Sequence, residues 1–344
     1  MNFLNNKTVM VTGCCGTVGF ELVRQLLDDN NYNLKFLIGI DNNEAGLFFQ
    51  DQAHSQTSNA SFFICDIRNS SSLSELVHGV DIIFHCAALK HVVLCEKSPE
   101  QAVETNIRGV QNVIMAAKNS NVEKVIFTSS DKAVNPTNVM GTSKLMGERL
   151  ITAGNSHSGT RPTIFASTRF GNVLGSSGSV VPLFKEQIKN GGPITLTDND
   201  MSRFVMNVKE AARLVLETSE MAKGGEVFIT KMPVMNIKDL AEVLIEELAP
   251  VYGFNTENIE IKIIGSKPGE KLYEELMSQE ETSRYVETTK YFAVLPAFRN
   301  VYSEISYEYE DAIAGTLNNC YISYDQPAMP KKKIKQLLKE CQLL

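Results

Sequence analysis

A glycine-rich loop between a predicted strand and a predicted helix is the feature that most restricts the fold of this chain. Residues 7–11 form a short apolar run typical of a buried strand, and residues 20–27 have a helical pattern. Between them, Gly13, Gly16 and Gly19 are spaced G-x-x-G-x-x-G. Glycines so placed permit a tight turn, the approach of a pyrophosphate to bare backbone, and close packing of helix on strand. The loop predicts a dinucleotide-binding unit, and a plain tight turn is the alternative.

The acidic residue that ends the second predicted strand indicates which dinucleotide such a loop would hold. A strand at 34–40 is followed by Asp41, about twenty residues beyond Gly19, where a carboxylate can accept from a ribose 2′-hydroxyl and repel a 2′-phosphate. The next three residues, NNE, include no arginine that would bind such a phosphate. We therefore expect NAD rather than NADP, with an exposed strand-end carboxylate as the alternative for Asp41.

Strands and helices alternate through the first half of the chain. Further strands are predicted at 61–65, 81–86, 125–127 and 163–170, with a long amphipathic helix at 99–119 and another that begins near Met140. This alternation predicts an α/β fold, a doubly wound parallel sheet with helices on both faces. The length of 344 residues permits two lobes. We expect an NAD-binding domain at 1–171 and 205–233, a smaller C-terminal substrate lobe at 172–204 and 234–330, and a helical tail at 331–344.

Charge and cysteine content argue against several classes of function. A general nucleic-acid-binding protein needs a basic surface, and this chain has a net charge of −7. The seven cysteines include no C-x-x-C pair and the histidines show no metal-ligand spacing, so we expect no metal site and a reducing compartment. No apolar run reaches the roughly 18 residues of a membrane span, and the first residues show no signal-peptide pattern. We therefore expect a cytoplasmic protein without a membrane span.

An acid and a base stand side by side where the fifth predicted strand ends. After the apolar residues 125–127 the chain reads TSSDK, which places Ser130, Asp131 and Lys132 at the carboxyl end of that strand. Open α/β sheets place their chemistry at this end of the strands. Met140 and Lys144 stand four residues apart on the following helix, so they share one face. We take these five residues as the catalytic group, with a mutually neutralising surface pair as the alternative for the acid and base.

Six sequence blocks resemble the nucleotide-sugar branch of the extended short-chain dehydrogenase/reductases. They are TGCCGTVG at 12–19, HCAALKHV at 85–92, TSSDKAVNPTNVMGTSK at 128–144, RFGNVLGSSGSVVPLF at 169–184, ITLTDNDMSRF at 194–204 and KPGEKLYEEL at 267–276. More narrowly, the chain resembles the bacterial UDP-N-acetylglucosamine 4,6-dehydratases of polysaccharide biosynthesis. The resemblance implies a Rossmann-type fold, bound NAD and a nucleotide-sugar substrate. Many relatives carry a membrane-spanning N-terminal domain, and this chain resembles only their catalytic part.

The resemblance implies a redox-neutral dehydration of the hexose. A hydride leaves C4 for NAD⁺, water is lost across C5–C6, and the hydride returns to C6. Lys132 is the expected base for the C5 proton, which requires a lysine pKa below its ordinary value of about 10.4. Asp131 is the expected acid for the leaving C6 hydroxyl, which requires an aspartate pKa above about 3.9.

Met140 stands where the superfamily has its catalytic tyrosine. A methionine cannot accept the C4 hydroxyl proton, so Ser130, Asp131 or a water relay would do so, and the sequence does not choose among them. Lys144 is expected to hold the nicotinamide ribose. Among these dehydratases, methionine at this position resembles the subgroup that retains the configuration at C5, so we expect retention.

The remaining site residues are assigned by the same resemblance. The cofactor is expected at Gly13, Gly16, Thr17, Val18, Gly19, Asp41, Asp66, Ile67, Ala87, Ala88, Lys90, Asn106 and Lys144. The substrate is expected at Lys90, His91, Asn172, Arg203, Asn207, Glu270 and Lys271. Of these, Asn172, Arg203 and Lys271 are candidates for the diphosphate, because arginine offers a fork to phosphate oxygens. An interlobe salt bridge is the alternative for Arg203, and bracing of a loop is the alternative for Asn207 and Glu270.

Other functions remain open at this point. They are a C5-inverting dehydratase, a dehydratase of a GDP-linked sugar, a nucleotide-sugar 4-epimerase and a non-catalytic NAD-sensing protein. The missing tyrosine counts against the epimerase, and the presence of Asp131, Lys132 and Lys144 together counts against the sensor. The helices at 99–119 and 141–153 correspond to the pair through which members of this fold often form a four-helix bundle. We therefore expect a homo-oligomer, a dimer or higher.

Overall fold

The computed structural model describes residues 3–28, 32–156, 162–176, 178–266, 269–298, 305–315, 317 and 319–344. The strands are β1 Thr8–Thr12, β2 Phe36–Asp41, β3 Ala60–Ile64, β4 Ile82–His85, β5 Lys124–Thr128, β6 Ile164–Arg169, β7 Asn172–Val173, β8 Ile194–Leu196, β9 Ser202–Met206, β10 Val227–Thr230, β11 Val234–Asn236, β12 Ile261–Ile263, β13 Glu275–Met277, β14 Tyr285–Thr288, β15 Tyr291–Val294, β16 Ala312–Ile313 and β17 Tyr321–Ile322. The helices are α1 Thr17–Asp28, α2 Glu44–Ala53, α3 Ser70–Val77, α4 Val92–Lys97, α5 Pro99–Val103, α6 Gly109–Asn119, α7 Val139–Gly154, α8 Val180–Lys189, α9 Val208–Met221, α10 Ile237–Leu248 and α11 Lys331–Glu340.

A ten-stranded sheet forms the centre of the molecule. Its strand order is β16-β14-β15-β10-β6-β5-β4-β1-β2-β3, and all pairs from β3 to β10 are parallel. The first six strands thus follow the order 3-2-1-4-5-6 of doubly wound dinucleotide-binding folds. The predicted α/β fold with a doubly wound parallel sheet is confirmed.

The central strands are apolar on both faces because helices cover both sides of the sheet. All residues of β1 and β5 are buried, with no alternation of exposed positions. On one side α1 packs against α9, and on the other α3 packs against α6. Both strands β1 and β5 end at the same edge of the sheet, so the glycine loop and the Asp131–Lys132 pair lie at that edge.

A second hydrophobic core lies outside the main sheet. It is formed by α8, α10 and α11, which bury Phe184, Leu240, Leu244, Ile334 and Leu338. Three small sheets, β7-β9-β11, β8-β12 and β13-β17, accompany these helices. Among the described residues, none of the helices is long and apolar enough to cross a membrane.

Strands β14, β15 and β16 belong to the main sheet and not to the smaller lobe. They were expected in the smaller lobe, but β14, β15 and β16 extend the main sheet in antiparallel fashion from β10. The edge of β10 would otherwise present unpaired backbone groups, and this hairpin pairs with them.

The helix predicted at 99–119 is a continuous helical stretch whose middle is wound as a π-helix. A π-helical segment, Glu104–Arg108, joins α5 to α6. Such segments are frequent at functional sites because the extra residue in the turn re-aims the side chains. Here the π-helical segment directs Asn106 into the interior, and this asparagine is 1% exposed.

Candidate active site

The glycine loop after β1 forms a cradle that side chains would fill. Gly13 has a φ of +69°, and a Cβ there would lie 2.6 Å from the backbone nitrogen of Ala87. A Cβ on Gly19 would lie 2.1 Å from the carbonyl oxygen of Gly13. Thr17 and Val18 form the first turn of α1, whose N-terminus offers unpaired N–H groups beside the loop. The cradle fits the pyrophosphate of a dinucleotide.

The carboxylate of Asp41 is fixed at the end of β2, next to this loop. Its two oxygens accept hydrogen bonds from the backbone N–H groups of Cys15 and Asn43, each at 3.0 Å. Cys14, Cys15 and Asp41 form the one group of three possible metal ligands in the described ranges, with ligand atoms within 4.8 Å of one another. Burial raises the pKa of the Cys15 thiol to about 11, which disfavours the thiolate that a metal would need.

The expected adenine-contacting pair has one partly exposed and one buried member. Asp66 makes a salt bridge of 2.6 Å to Arg68, and its carboxylate is 30% exposed. Ile67 is buried against α6, where a Cβ on Gly109 would lie 2.5 Å from its Cδ1 atom. Ala88 is half-buried beside Ala87 in the segment that follows β4.

Lys144 is anchored at the end of β5, and Asn106 is anchored at the segment that follows β4. The Lys144 ammonium donates to the carbonyl oxygen of Thr128 at 2.9 Å and lies 4.7 Å from the centre of the Phe127 ring. Burial lowers the pKa of this lysine to about 8. The Asn106 carboxamide accepts from the N–H of Leu89 at 2.8 Å and donates to its carbonyl at 2.9 Å. It thereby fixes the segment that leads to Lys90.

A cavity of about 430 Å³ lies between the carboxyl edge of the sheet and the second core. Of the sequence-predicted site residues, it brings together Asp131, Lys132, Asn172, Arg203, Glu270 and Lys271. The opposite wall is apolar and includes Val180, Leu183, Phe184, Leu240 and Ile264. One charged end and one apolar wall are typical of a small-molecule site.

Ionisable groups form a cluster at the charged end, in which the two carboxyl groups are buried and the Lys132 side chain is 32% exposed. Asp131 and Lys132 lie in a 3₁₀ turn directly after β5, and Ser130 caps this turn. The Lys132 Nζ atom lies 3.0 Å from Oδ2 of Asp131 and 3.2 Å from Oε1 of Glu274. Ser130 donates to Oδ1 of Asp131 at 2.5 Å, and the Lys132 amine lies between the carboxyl groups of Asp131 and Glu274 as a partner of both.

The protonation states of this cluster are the reverse of the predicted ones. Burial alone would lower the pKa of the Lys132 amine, but the Asp131 and Glu274 carboxylates outweigh it and raise that pKa above its ordinary value. Burial alone would raise the pKa of Asp131, but the Lys132 ammonium and the hydrogen bond from Ser130 hold it below the ordinary value. The predicted lowered lysine pKa and raised aspartate pKa are therefore wrong for the chain in this structure.

Glu274 is the site residue that the sequence analysis missed. It is 5% exposed, and burial together with the Asp131 carboxylate raises its pKa to about 7. Its Oε2 atom accepts from the Asn172 carboxamide at 2.8 Å, and its Oε1 atom lies 3.3 Å from Nε of Arg203. Its only sequence signal was membership of the block at 267–276, where the neighbouring Glu275 looks the same.

The three candidates for the diphosphate are bonded to protein groups. Besides its contact with Glu274, the Arg203 guanidinium donates to the carbonyl oxygens of Ser202, Lys271 and Leu272 at 2.8 to 3.1 Å. The Lys271 ammonium donates to the carbonyl oxygen of Val134 at 3.0 Å. Arg203 therefore makes a salt bridge, but its partner Glu274 lies in the same predicted lobe, so this pair is not the interlobe bridge given as the alternative.

Four other expected site residues do not line the cavity. Asn207 caps α9, accepting from the N–H of Glu210 at 2.8 Å, and we leave it out of the substrate site. Met140 is 2% exposed and packs with Cys95 and Ala102 in a small apolar cluster. Lys90 and His91 are exposed on the segment before α4; a Cβ on Gly178 would lie 2.6 Å from Cε1 of His91.

Comparison with known proteins identifies the family. Residues 9–296 match the model of the polysaccharide biosynthesis protein family. An uncharacterized membrane protein of Methanocaldococcus jannaschii is 48% identical over 346 residues, covering 100% of this chain and 98% of its own length. A UDP-glucose 4-epimerase of Rickettsia typhi is 37% identical over 341 residues, covering 97% and 95%. The X-ray structure of Pen from Bacillus thuringiensis superposes with a TM-score of 0.88 at 41% identity, covering 99% and 100%. The chain therefore belongs to the polysaccharide biosynthesis protein family and has the extended short-chain dehydrogenase/reductase fold.

Proposed function

We propose that this protein is a nucleotide-sugar 4,6-dehydratase that acts on UDP-N-acetylglucosamine with NAD as a resident cofactor. The observation that carries the proposal is the ion pair of buried Asp131 with Lys132 in the lining of a cavity that Asn172, Arg203 and Lys271 also line. A carboxyl group and an amine at one point suit the removal of a C5 proton and the departure of a C6 hydroxyl. Cations on the same wall suit a diphosphate.

The residues around the glycine loop fit NAD. The cradle at Gly13 and Gly19 would accept the pyrophosphate, and Asp41, already oriented by two backbone N–H groups, would accept from the adenine-side ribose. Lys144 would donate to the nicotinamide ribose. Bound there, NAD would accept the hydride from C4 and would return the same hydride to C6, so no external oxidant would be consumed.

Lys132 acts as the base once its proton is gone. In this structure two carboxylates lie within 3.2 Å of its amine and keep it charged. A hexose that enters between the amine and these carboxylates weakens both ion pairs, and burial then lowers the amine pKa. Removal of the C5 proton is aided by the 4-keto group, which stabilises the resulting enolate.

Arg203 and Lys271 form the diphosphate end of the proposed site. Both donate to backbone carbonyl oxygens in this structure, and a diphosphate offers charged acceptors for the same N–H groups. Charge-assisted hydrogen bonds to phosphate are stronger than those to a neutral carbonyl. The apolar wall with Leu183 and Phe184 would face the uracil base.

The test is to incubate the pure protein with UDP-N-acetylglucosamine in D₂O and to analyse the product by mass spectrometry and NMR. We expect the loss of one water molecule, deuterium at C5 and an unchanged ring configuration. An inverted configuration at C5 would contradict the retention expected from Met140, but it would still be the result of a dehydratase. Turnover of the GDP-linked sugar alone would show that the nucleotide is assigned wrongly and the reaction correctly. No turnover of any nucleotide sugar would refute the proposal that the protein is an enzyme.

A nucleotide-sugar 4-epimerase is the second candidate, because the relative from Rickettsia typhi bears that name at 37% identity. An epimerase product has the mass of its substrate, so the same spectrum separates the two reactions. The buried Met140 argues against this candidate, since no tyrosine hydroxyl is present at that position to exchange the C4 proton.

We further propose that two copies pair through the helices around α6 and α7. On these helices Val103, Met115 and Met146 are 41%, 57% and 48% exposed. A subunit interface would cover these exposed apolar side chains. Light scattering of the wild type and of a Met115→Glu variant tests this, with a shift toward monomer expected for the variant. A monomeric wild type would contradict it.

A further inference from the structure

The position of the superfamily tyrosine provides no acceptor for the proton of the C4 hydroxyl. Met140 is 2% exposed and packs in an apolar cluster with Cys95 and Ala102. A thioether has no proton to exchange and is only a weak acceptor. Oxidation of an alcohol to a ketone removes a hydride from carbon and a proton from oxygen. Another residue must therefore accept the proton of the C4 hydroxyl.

The Ser130 hydroxyl has an arrangement that suits this task. Ser130 is partly buried and extended, with a φ of −152° and a ψ of 155°, so it continues the direction of β5 before the 3₁₀ turn. Its hydroxyl donates to Oδ1 of Asp131 at 2.5 Å and accepts from the N–H of Lys132 at 3.3 Å. A hydroxyl has one proton and two lone pairs. Within the described part of the chain, one lone pair of Ser130 therefore remains available to a ligand hydroxyl.

The Asp131 carboxylate is placed to accept the proton that Ser130 gives up. It is 3% exposed, and the hydrogen bonds from Ser130 and from the Lys132 ammonium at 3.0 Å both stabilise its ionised form. The separation of 2.5 Å between the Ser130 and Asp131 oxygens is at the short end of charge-assisted hydrogen bonds. The Ser130 proton thus points at an ionised acceptor over a short path.

Ser130 also lies between the proposed cofactor site and the proposed elimination site. Two residues before it, the carbonyl oxygen of Thr128 accepts from Lys144, the residue proposed for the nicotinamide ribose. Directly after it, Asp131 and Lys132 line the cavity. C4 of the hexose must face the nicotinamide while the adjacent C5 faces Lys132. Of the residues at the end of β5, Ser130 is therefore suitably placed for the C4 hydroxyl.

We propose that Ser130 and Asp131 form the proton relay that replaces the tyrosine: Ser130 accepts the C4 hydroxyl proton while it passes its own proton to Asp131, which later delivers that proton to the leaving C6 hydroxyl. This inference rests on the proposed dehydration. Both residues are catalytic in this scheme, because each touches a reacting hydroxyl group. The ionised state of Asp131 before the reaction, which conflicts with a role as acid alone, is what the relay requires.

Atoms and electrons balance in this scheme. At C4 the O–H and C–H bonds break and the C=O bond forms; the hydride leaves for the nicotinamide, and the proton moves through Ser130 to Asp131. Lys132, neutral once the hexose is bound, takes the C5 proton. The C5–C6 double bond forms, the C6–O bond breaks, and the departing hydroxide leaves as water with the proton from Asp131. The hydride is then added at C6 and Lys132 returns its proton to C5, so all three residues end in the states in which they began.

The test follows two reactions of the pure protein with NAD in D₂O, both by mass spectrometry. Dehydration of UDP-N-acetylglucosamine requires every step of the scheme. The 6-deoxy analogue of this sugar has no C6 hydroxyl to lose. Exchange of its C5 proton for deuterium therefore requires oxidation at C4 and proton removal at C5, but no acid for a leaving group.

The variants are Ser130→Ala and Ser130→Thr, with Ser129→Ala as the matched control. Ser129 is 3% exposed, and its hydroxyl has no hydrogen-bond partner among the described residues. General bases contribute about 10²–10⁴ in rate, so we expect Ser130→Ala to lower both dehydration and C5 exchange at least about 100-fold. Ser130→Thr keeps the hydroxyl and should retain both reactions, and Ser129→Ala should match the wild type.

Asp131→Asn separates the relay from a role of Asp131 as acid alone. An asparagine cannot take up the proton, so the relay predicts that C5 exchange in the 6-deoxy analogue is lost together with dehydration. If Asp131 were only the acid for the C6 hydroxyl, C5 exchange would continue in this variant. The NAD content of the purified variants and calorimetric titration with UDP-N-acetylglucosamine should remain close to those of the wild type, which would exclude loss of binding as the cause.

The outcomes for the dehydratase and for the relay are distinct. A wild type that releases no water from any nucleotide sugar refutes the proposed dehydratase, and the relay with it. A wild type that dehydrates, with C5 exchange in Ser130→Ala at the wild-type rate, refutes the relay alone, whether or not that variant still loses water. If Ser130→Ala does not fold, Asp131→Asn decides: C5 exchange at the wild-type rate in that variant overturns the inference.

Discussion

A buried charged triad behind the site gives the most quantitative prediction, the loss of stability in Glu281→Gln. Arg169, at the end of β6, is 1% exposed and pairs with Glu148 of α7 at 2.6 Å and with Glu281 at 2.8 Å. It also donates to the carbonyl oxygen of Leu276, next to the segment that carries Glu274. The triad thus joins β6, α7 and the β13 segment from the inside.

The expected magnitude follows from the pKa of Glu281. Although burial alone would raise it, the Arg169 guanidinium and the hydrogen bonds from Arg169 and from the N–H of Ser278 lower the pKa from 4.5 to about 2. At about 1.36 kcal/mol for each pKa unit, the ionised carboxylate contributes about 3 kcal/mol to the free energy of unfolding. This agrees with the loss of about 3–5 kcal/mol typical when one partner of a buried ion pair is removed.

Thermal unfolding of Glu281→Gln, wild type and Glu280→Gln is the assay. An unfolding entropy of about 2.1 cal/mol/K per residue gives about 0.7 kcal/mol/K for this chain, so about 3 kcal/mol lowers Tm by about 4 °C. The exposed Glu280 should contribute less than about 1 kcal/mol, because solvent screens its pair with Arg284. The contribution of Glu281 is present in full above about pH 4.5 and is lost as the pH falls toward about 2, so the difference between variant and wild type should shrink below about pH 4.5. If Glu281→Gln and Glu280→Gln had the same Tm at about pH 7, the reasoning would be refuted.

Three other substitutions test the remaining parts of the site. Gly13→Ala should abolish retention of NAD through purification, because its Cβ would lie 2.6 Å from the backbone of Ala87 at a φ of +69°; a variant that copurifies with a full complement of NAD contradicts this. Gly141→Ala should lower kcat at least about tenfold while NAD remains bound, since its Cβ would lie 2.2 Å from the carbonyl oxygen of Lys132 and displace the base, as single-turnover kinetics would show. Met140→Tyr should lower the free energy of unfolding by about 1–3 kcal/mol through overpacking and should not increase turnover; a faster variant would show that the tyrosine position still reaches the sugar.

The parts of the site that depend on neighbouring residues in the chain could be predicted from the sequence. The loop at Gly13 and Gly19 needs glycine for reasons of backbone geometry, and those reasons act within a few residues. Asp41 and the Asp131–Lys132 pair follow buried strands, and the parallel topology brings all carboxyl ends to one edge. Periodicity alone was therefore sufficient to place these residues near one another.

The charges of the site could not be predicted in the same way, because they depend on contacts between distant segments. Lys132 and Glu274 are separated by 142 positions in the chain and lie 3.2 Å apart in the fold. Without Glu274, burial and the single carboxylate of Asp131 were the known influences on the lysine, and the direction of its pKa appeared to follow from burial. The Asp131 and Glu274 carboxylates together reverse that direction.

This reversal changes what the substrate has to do. If Lys132 were neutral before binding, the site would be ready to remove a proton from any sugar that reached it. In the proposed reaction, because two carboxylates keep Lys132 charged, a ligand would have to insert its polar groups between the amine and the carboxylates to produce the base. Binding of the correct sugar and activation of the base would then be one event, and a nucleotide diphosphate without the hexose would leave Lys132 charged.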